Sequence, residues 1–190
     1  METPFAVLTE IARALEKLGI VYVVVGSFAS SMRGLYRATG DVDILADVRL
    51  EHVKPLVAAL EDTFYIDERT VHMAVTQHRS FNAIHFESVF KIDIFIPPES
   101  DFSRQQFARR QLERLSPDVP QEIYVATAED TILAKLKWYR AGDEVSDTQW
   151  GDVLGIVGMQ GSNLDIAYLR EHAGKLNVQD LLEKALSETT

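Results

Sequence analysis

The segment "GSFASSMRGLYRATGDVDILAD", Gly26 to Asp47, directly follows the apolar run "IVYVVV" at residues 20–25. A short, continuously apolar run is typical of a buried strand. A Gly-Ser turn therefore follows a predicted strand, and after a gap of thirteen residues come Asp41 and Asp43, which are separated only by Val42. Residues two apart on a strand project from the same face. Two ionised carboxylates repel each other, so a partly buried pair requires a cation.

These carboxylates predict a metal site. Hard oxygen ligands suit Mg²⁺ (or Mn²⁺), and Mg²⁺ completes its coordination shell with water and phosphate oxygens. Gly26 permits a ligand to approach the backbone closely, and Ser27 stands at a predicted helix N-terminus, where free N–H groups favour phosphate. Asp93 lies between apolar neighbours in "KIDIFI". If its strand lies beside that of Asp41 and Asp43, the three carboxylates can hold one or two Mg²⁺ and support an in-line phosphoryl displacement.

Each motif also has a less specific interpretation. A lone Asp-x-Asp is more often a strand end than a metal site, and a lone Gly-Ser is usually only a turn. Asp93 by itself most often pairs with Lys91 or faces water. The combination in this order and spacing favours the metal site.

The composition limits the class of protein. The chain has 190 residues, 46% of them hydrophobic and 25% charged, with no cysteine, a net charge of −10 and a pI near 4.9. These values predict a globular protein without disulfides or a thiol nucleophile, and they disfavour a surface that binds nucleic acid throughout, although a local basic groove is compatible with them. We expect no membrane span, because no run of about 18 apolar residues occurs. We also expect no signal peptide and a cytoplasmic protein, because the N-terminal segment lacks a basic region before an apolar core.

Hydrophobic periodicity predicts an α+β protein in which helices and strands alternate up to residue 125 and a helical region follows. The predicted domains are an α/β core at 1–125 and a helical region at 126–190 that completes the same compact unit. Aromatic residues of the helical region are predicted to lie in its core rather than to stack on bases: Trp138, Tyr139 and Trp150. The predicted helices are 4–18, 27–33, 50–62, 67–78, 103–115 and four segments within 127–188, and the predicted strands are 20–25, 41–48, 80–87 and 90–97, the last two antiparallel.

The acidic motif resembles the signature of the nucleotidyltransferase (polymerase β-like) superfamily, in which an apolar strand precedes Gly-Gly or Gly-Ser, then Asp-apolar-Asp, then an isolated carboxylate on a later strand. Gly26, Ser27, Asp41, Asp43 and Asp93 match it. Four segments together resemble the AbiEii-type nucleotidyltransferases, the toxin class of abortive-infection toxin–antitoxin systems: "YRATGDVDI", "KIDIFI", "EDTILAKLKWYRAG" and "DTQWGDV".

The resemblance implies a small mixed β-sheet nucleotidyltransferase core flanked by helices, with the helical C-terminal half packed on it. It implies a Mg²⁺-dependent enzyme that moves a nucleoside monophosphate from an NTP to a hydroxyl or phosphate of RNA, such as tRNA, or of a protein, with an antitoxin as a further partner. It also implies that Lys135 contacts nucleotide phosphate and that Asp152 supports the site.

Several readings stay open at this point. Arg37 is predicted to bind nucleotide phosphate, or else only to pair with Asp41. Without the resemblance, Lys135 is better read as a surface lysine with its ammonium in water. The alternatives to transfer are a non-catalytic nucleotide-binding or protein-interaction module on the same fold, and a phosphohydrolase that uses the same acidic cluster.

Overall fold

A computed structural model describes residues 4–35, 40–116 and 119–189 of the chain. A seven-stranded sheet in the order β3-β4-β5-β2-β1-β7-β6 contains both parallel pairs, β2 with β5 and β1 with β7, and antiparallel ones. The predicted α+β class with a mixed sheet is therefore confirmed. The strands are β1 Tyr22–Val25, β2 Asp41–Ala46, β3 Phe64–Tyr65, β4 Ser80–His85, β5 Lys91–Phe95, β6 Gln111–Ser116 and β7 Val119–Val125.

Nine α-helices lie in the described residues, and the short 3₁₀ turns Leu50–His52 and Gly161–Asn163 precede α3 and α8. Asp67, where the sequence predicts the start of a helix, is an N-cap, since its side chain accepts a hydrogen bond from the backbone N–H of Thr70 at 2.8 Å. The helices are α1 Pro4–Lys17, α2 Gly26–Arg33, α3 Val53–Leu60, α4 Glu68–Gln77, α5 Asp101–Arg109, α6 Ala128–Ala141, α7 Asp147–Gln160, α8 Ile166–Lys175 and α9 Gln179–Glu188.

The chain divides into two compact units. The first, residues 1–25 and 39–125, contains the whole sheet with α1, α3, α4 and α5. Strands β2 and β5 alternate between buried and half-buried residues, so that one face of each strand enters a core. Fully buried side chains of this core include Leu8, Ile11, Leu15, Ile44, Leu56, Leu60, Phe81, Ile92 and Ile94.

The second unit, residues 26–38 and 126–190, is helical and joins α2 to α6–α9. Gly34, just after α2, lies against the backbone of α7: a β-carbon placed on it would be 2.8 Å from the N of Ile156 and 2.9 Å from the C of Gly155. Only glycine permits this approach without a shift of the helix backbone. The predicted organisation, an α/β core at 1–125 with a helical region at 126–190 that completes the same compact unit, stays a prediction.

Two predictions about local structure are wrong. The segment 103–115 is not one helix, because α5 ends at Arg109 and β6 begins at Gln111 and pairs antiparallel with β7. Pairing with β7, the next strand along the chain, overrides the helical propensity of this charge-rich segment. Trp138 is not a core residue either, since 66% of it is exposed. By contrast, β4 and β5 are antiparallel, as predicted.

Candidate active site

The strand register places the three predicted carboxylates on neighbouring positions of the sheet. Strands β2 and β5 are parallel, with Asp43 opposite Asp93 and Asp41 opposite Lys91. Alternation turns Val42 and Ile44 into the core, while Asp41 and Asp43 are half-buried on the other face. The prediction that the Asp93 strand lies beside that of Asp41 and Asp43 is confirmed. Adjacent strands are about 4.8 Å apart, so Asp43 and Asp93 are direct neighbours.

A lysine ammonium lies within this group. Nζ of Lys91 is 2.6 Å from Oδ2 of Asp93 and 3.8 Å from Oδ2 of Asp41. The Asp93 side chain is 15% exposed, whereas those of Lys91 and Asp41 are 40% and 47% exposed. Lys91 stands two residues before Asp93 and therefore shares its face of the strand. The contact of Asp93 with Lys91, which the less specific interpretation of Asp93 predicts, is therefore present.

The electrostatics of Lys91 reflect the three acids. The hydrogen bond with Asp93 is the main cause that raises the pKa of Lys91, and partial desolvation opposes it. The charges of Asp93, Asp41 and Asp43 raise it further, in that order. The ammonium is therefore held in its charged form by all three carboxylates.

Asn82 extends the row of polar side chains by one strand. It lies opposite Asp93 in the antiparallel pair of β4 and β5, and it is exposed. Sequence reasoning assigned no role to Asn82 and treated Lys91 only as a partner of Asp93. The one signal for Lys91 in the sequence is its spacing of two residues from Asp93, which places both on one face.

Gly26 and Ser27 begin α2 in the helical unit. Gly26 has φ +65°, in the left-handed region that glycine adopts readily. The carbonyl of Gly26 accepts a hydrogen bond from Oγ of Ser30 at 2.9 Å, which secures the first turn. The helix predicted to start at the Gly-Ser turn is present and ends at Arg33, as predicted. Arg37 lies outside the described residues.

Lys135 and Asp152 form a buried ion pair between α6 and α7. Nζ of Lys135 is 2.7 Å from Oδ2 of Asp152 and donates a hydrogen bond to Oε1 of Gln149 at 3.1 Å. The two charged side chains are only 5% and 13% exposed. The interpretation of Lys135 as a surface lysine with its ammonium in water is therefore wrong. Its predicted contact with nucleotide phosphate, and the supporting role of Asp152, stay predictions.

The acids on β2 and β5 are of the residue type that binds divalent metal ions. Within residues 4–35, 40–116 and 119–189, no group of three or more His, Cys, Asp or Glu side chains is arranged to hold one. The Asp93 side chain instead contacts Lys91, so a cation is already accommodated among these oxygens. Carboxylate oxygens on adjacent strands are the hard ligands that Mg²⁺ takes, usually one or two per ion. Asp41, Asp43 and Asp93 are therefore the residues that would hold it.

Comparisons with known proteins reveal similarity only at the level of structure. No known protein-family profile matches the sequence, and no curated protein matches it. The structure is similar to an antigenic nucleotidyltransferase-like protein from Paracoccidioides brasiliensis, with a TM-score of 0.56 and 16% identity over 96% of this chain and 91% of that one.

A second similar structure is the antibiotic-resistance factor ANT(2″)-Ia, with a TM-score of 0.55 and 14% identity over 94% of both chains. The same factor in complex with adenylyl-2″-tobramycin has a TM-score of 0.55 and 12% identity over 92% of this chain and 98% of that one. The comparisons show that the chain has the fold of nucleotidyltransferases.

None of the described helices combines the length and the apolar character that a membrane span requires.

Proposed function

We propose that the protein is a Mg²⁺-dependent nucleotidyltransferase that moves a nucleoside monophosphate from an NTP to an acceptor hydroxyl or phosphate. The observation that carries the proposal is the register of β2 and β5, which places Asp43 opposite Asp93 and Asp41 two residues away on the same face. The nucleotidyltransferase fold supports it independently. A binding module has little use for three half-buried acids on one face, because ionised neighbours repel.

The residues divide the work in the following way. Asp41 and Asp43 would hold the metal ion that accompanies the triphosphate, and Asp93 would help to hold a second metal ion that acts on the acceptor oxygen. Bound Mg²⁺ would neutralise phosphate charge and lower the pKa of the acceptor hydroxyl. An acceptor oxygen forms a bond to the α-phosphorus as the bond to the β-phosphate oxygen breaks, so pyrophosphate leaves and the acceptor loses its proton. Ser27 and the neighbouring N–H groups at the start of α2 would bind phosphate oxygens.

Two separate observations bear on the chemical class of the acceptor. The AbiEii-type motifs favour RNA, such as tRNA, or a protein as acceptor, and a role as the toxin of a toxin–antitoxin system with an antitoxin partner. The structurally similar ANT(2″)-Ia, by contrast, occurs in complex with an adenylylated small molecule, adenylyl-2″-tobramycin. We propose RNA or protein as the acceptor, with a small molecule as the alternative outcome of the test.

The test compares cells that express the chain with cells that express Asp43→Asn. Intact-mass analysis of total tRNA and of the soluble proteins should reveal an added nucleoside monophosphate only with the unchanged chain. A covalently modified small molecule would correct the acceptor class and keep the reaction. If purified protein releases inorganic phosphate from NTP without any acceptor, the protein is a phosphohydrolase and the transfer proposal is wrong.

A further inference from the structure

Lys91 lies among the carboxylates that would hold the metal ion of the proposed reaction. Its ammonium contacts Oδ2 of Asp93 at 2.6 Å and lies 3.8 Å from Oδ2 of Asp41. The strand register fixes this placement, because Lys91 is opposite Asp41 and two residues from Asp93. The pairing of β2 and β5 therefore places Lys91 beside Asp41, the spacing within β5 places it beside Asp93, and the lysine side chain makes both contacts.

The surroundings of Asp93 distinguish this contact from an ordinary surface ion pair. Exposed lysine–carboxylate pairs contribute little, because water solvates both partners. The Asp93 side chain is only 15% exposed, and its strand neighbours Ile92 and Ile94 are fully buried. A carboxylate in such a place needs a partner, and Lys91 supplies it. The same carboxylate would help to hold the metal ion that acts on the acceptor oxygen in the proposed transfer reaction.

We infer that Lys91 is an internal counter-ion that competes with the divalent cation for Asp93 and leaves that carboxylate when the metal–nucleotide complex binds. This inference rests on the proposed function. The ammonium of Lys91 lies at Oδ2 of Asp93, so it repels a Mg²⁺ that approaches this oxygen, and a metal ion that binds there displaces the ammonium. The triphosphate then gives the displaced Lys91 a new anionic partner. Metal and nucleotide consequently bind with positive coupling, and free metal binds weakly.

The consequence for metal affinity has a definite sign. A positive charge within a few ångströms of the metal position opposes a divalent cation, so its removal should tighten binding of Mn²⁺ by about tenfold or more. Removal should also leave the carboxylate of Asp93, which is 15% exposed, without its contact to the ammonium. The melting temperature of Lys91→Met without metal should therefore be lower than that of the unchanged chain, and added Mg²⁺ should restore it.

The experiment measures free Mn²⁺ by electron paramagnetic resonance during titration of the full chain without nucleotide. Lys91→Met should bind Mn²⁺ about tenfold or more tightly than the unchanged chain. Lys91→Arg should resemble the unchanged chain, because it keeps the charge. Lys54→Met is the matched control, since Lys54 is an exposed lysine on α3 and its removal changes the net charge equally. Mg²⁺ should raise the melting temperature of Lys91→Met more than that of either control.

The outcomes separate the two proposals. Equal or weaker Mn²⁺ binding by Lys91→Met, with clear binding by the unchanged chain that Asp43→Asn abolishes, overturns the counter-ion inference and keeps the metal site. An equal gain in Lys54→Met would show a general charge effect and would also overturn it. If neither the unchanged chain nor Lys91→Met binds Mn²⁺ with or without ATP, the metal site itself is wrong and the proposed function fails with it.

Discussion

Asp43 and Asp93 are direct neighbours across the parallel strands β2 and β5, although they are far apart in the sequence. Each is followed and preceded by apolar residues that enter the core, so the backbone cannot slip by one residue without turning the carboxylates inward. The pairing of the two acids is therefore as firmly specified as the core of the sheet unit. The chemistry that we propose depends on this register.

Replacement of Asp93 should separate catalysis from nucleotide binding. We expect Asp93→Asn to keep the affinity for NTP and Mg²⁺ within a few-fold and to lower the transfer rate by about 10²-fold or more, as losses of positioned catalytic groups do. The reason is that Asp93 acts on the acceptor oxygen and is felt mainly in the transition state. Titration calorimetry measures binding, and pyrophosphate release measures transfer.

The control for Asp93→Asn is Asp62→Asn, which changes an exposed aspartate after α3. Equal losses of binding and turnover in Asp93→Asn would mean that Asp93 is a ground-state ligand. If the variant loses neither, Asp93 is only a strand residue and the three-carboxylate interpretation fails.

The hydroxyl of Ser27 should contribute modestly to nucleotide affinity. We expect Ser27→Ala to weaken NTP binding by about 1–2 kcal/mol, the range for a hydrogen bond to a charged group, because the backbone N–H groups at the start of α2 remain. Calorimetry with ATP measures this change, and Ser162→Ala, at an exposed serine, serves as the control. Unchanged affinity in Ser27→Ala would show that the phosphates do not use this hydroxyl.

Lys135 should be important for the stability of the helical unit. Lys135→Met removes the buried ammonium beside the carboxylate of Asp152 and should lower the free energy of unfolding by about 3–5 kcal/mol. Urea denaturation measures the loss. Lys137→Met, an exposed neighbour on α6, should change stability by less than about 0.5 kcal/mol. The double variant Lys135→Met/Asp152→Leu should recover part of the loss. Equal stabilities of Lys135→Met and Lys137→Met would contradict the buried pair.

Two glycines of the helical unit should respond in opposite directions to alanine. Gly34→Ala places a methyl group against the backbone of α7 and should destabilise the protein by about 1–3 kcal/mol. Gly158→Ala adds a methyl group to α7 where no atom lies within 4 Å, so it should stabilise by about 0.5–1 kcal/mol. Melting temperatures of the two variants test the packing, and a higher value for Gly34→Ala than for Gly158→Ala would disprove it.

The sequence was informative where periodicity is local. The alternation of β2 and β5 and the caps of the helices follow from neighbouring residues, and Asp93 could be placed beside Asp43 because both interrupt apolar strands. Strand β6 could not be found, because residues 111–115 include no buried position, with Leu112 49% exposed, and so show no alternation of buried and exposed side chains. The antiparallel pairing with β7 makes this segment a strand.

The contacts of two lysine side chains were beyond sequence reasoning for a related reason. Burial of Lys135 depends on Asp152 and Gln149 in the next helix, and no local pattern distinguishes such a lysine from one that extends into water. The position of Lys91 among three acids depends on the strand register, which becomes visible only when β2 and β5 are paired.

The central claim is that Asp43 belongs to a site of nucleotidyl transfer. The most direct measurement is pyrophosphate release from each of the four NTPs with Mg²⁺ and a total tRNA or protein extract, for the unchanged chain, Asp43→Asn and Asp47→Asn. Asp47 is the matched control, since it follows β2 and pairs with Arg49 at 3.0 Å instead. We predict that the unchanged chain and Asp47→Asn release pyrophosphate, while Asp43→Asn retains its fold by circular dichroism and releases none above background. Full pyrophosphate release by Asp43→Asn would contradict the account.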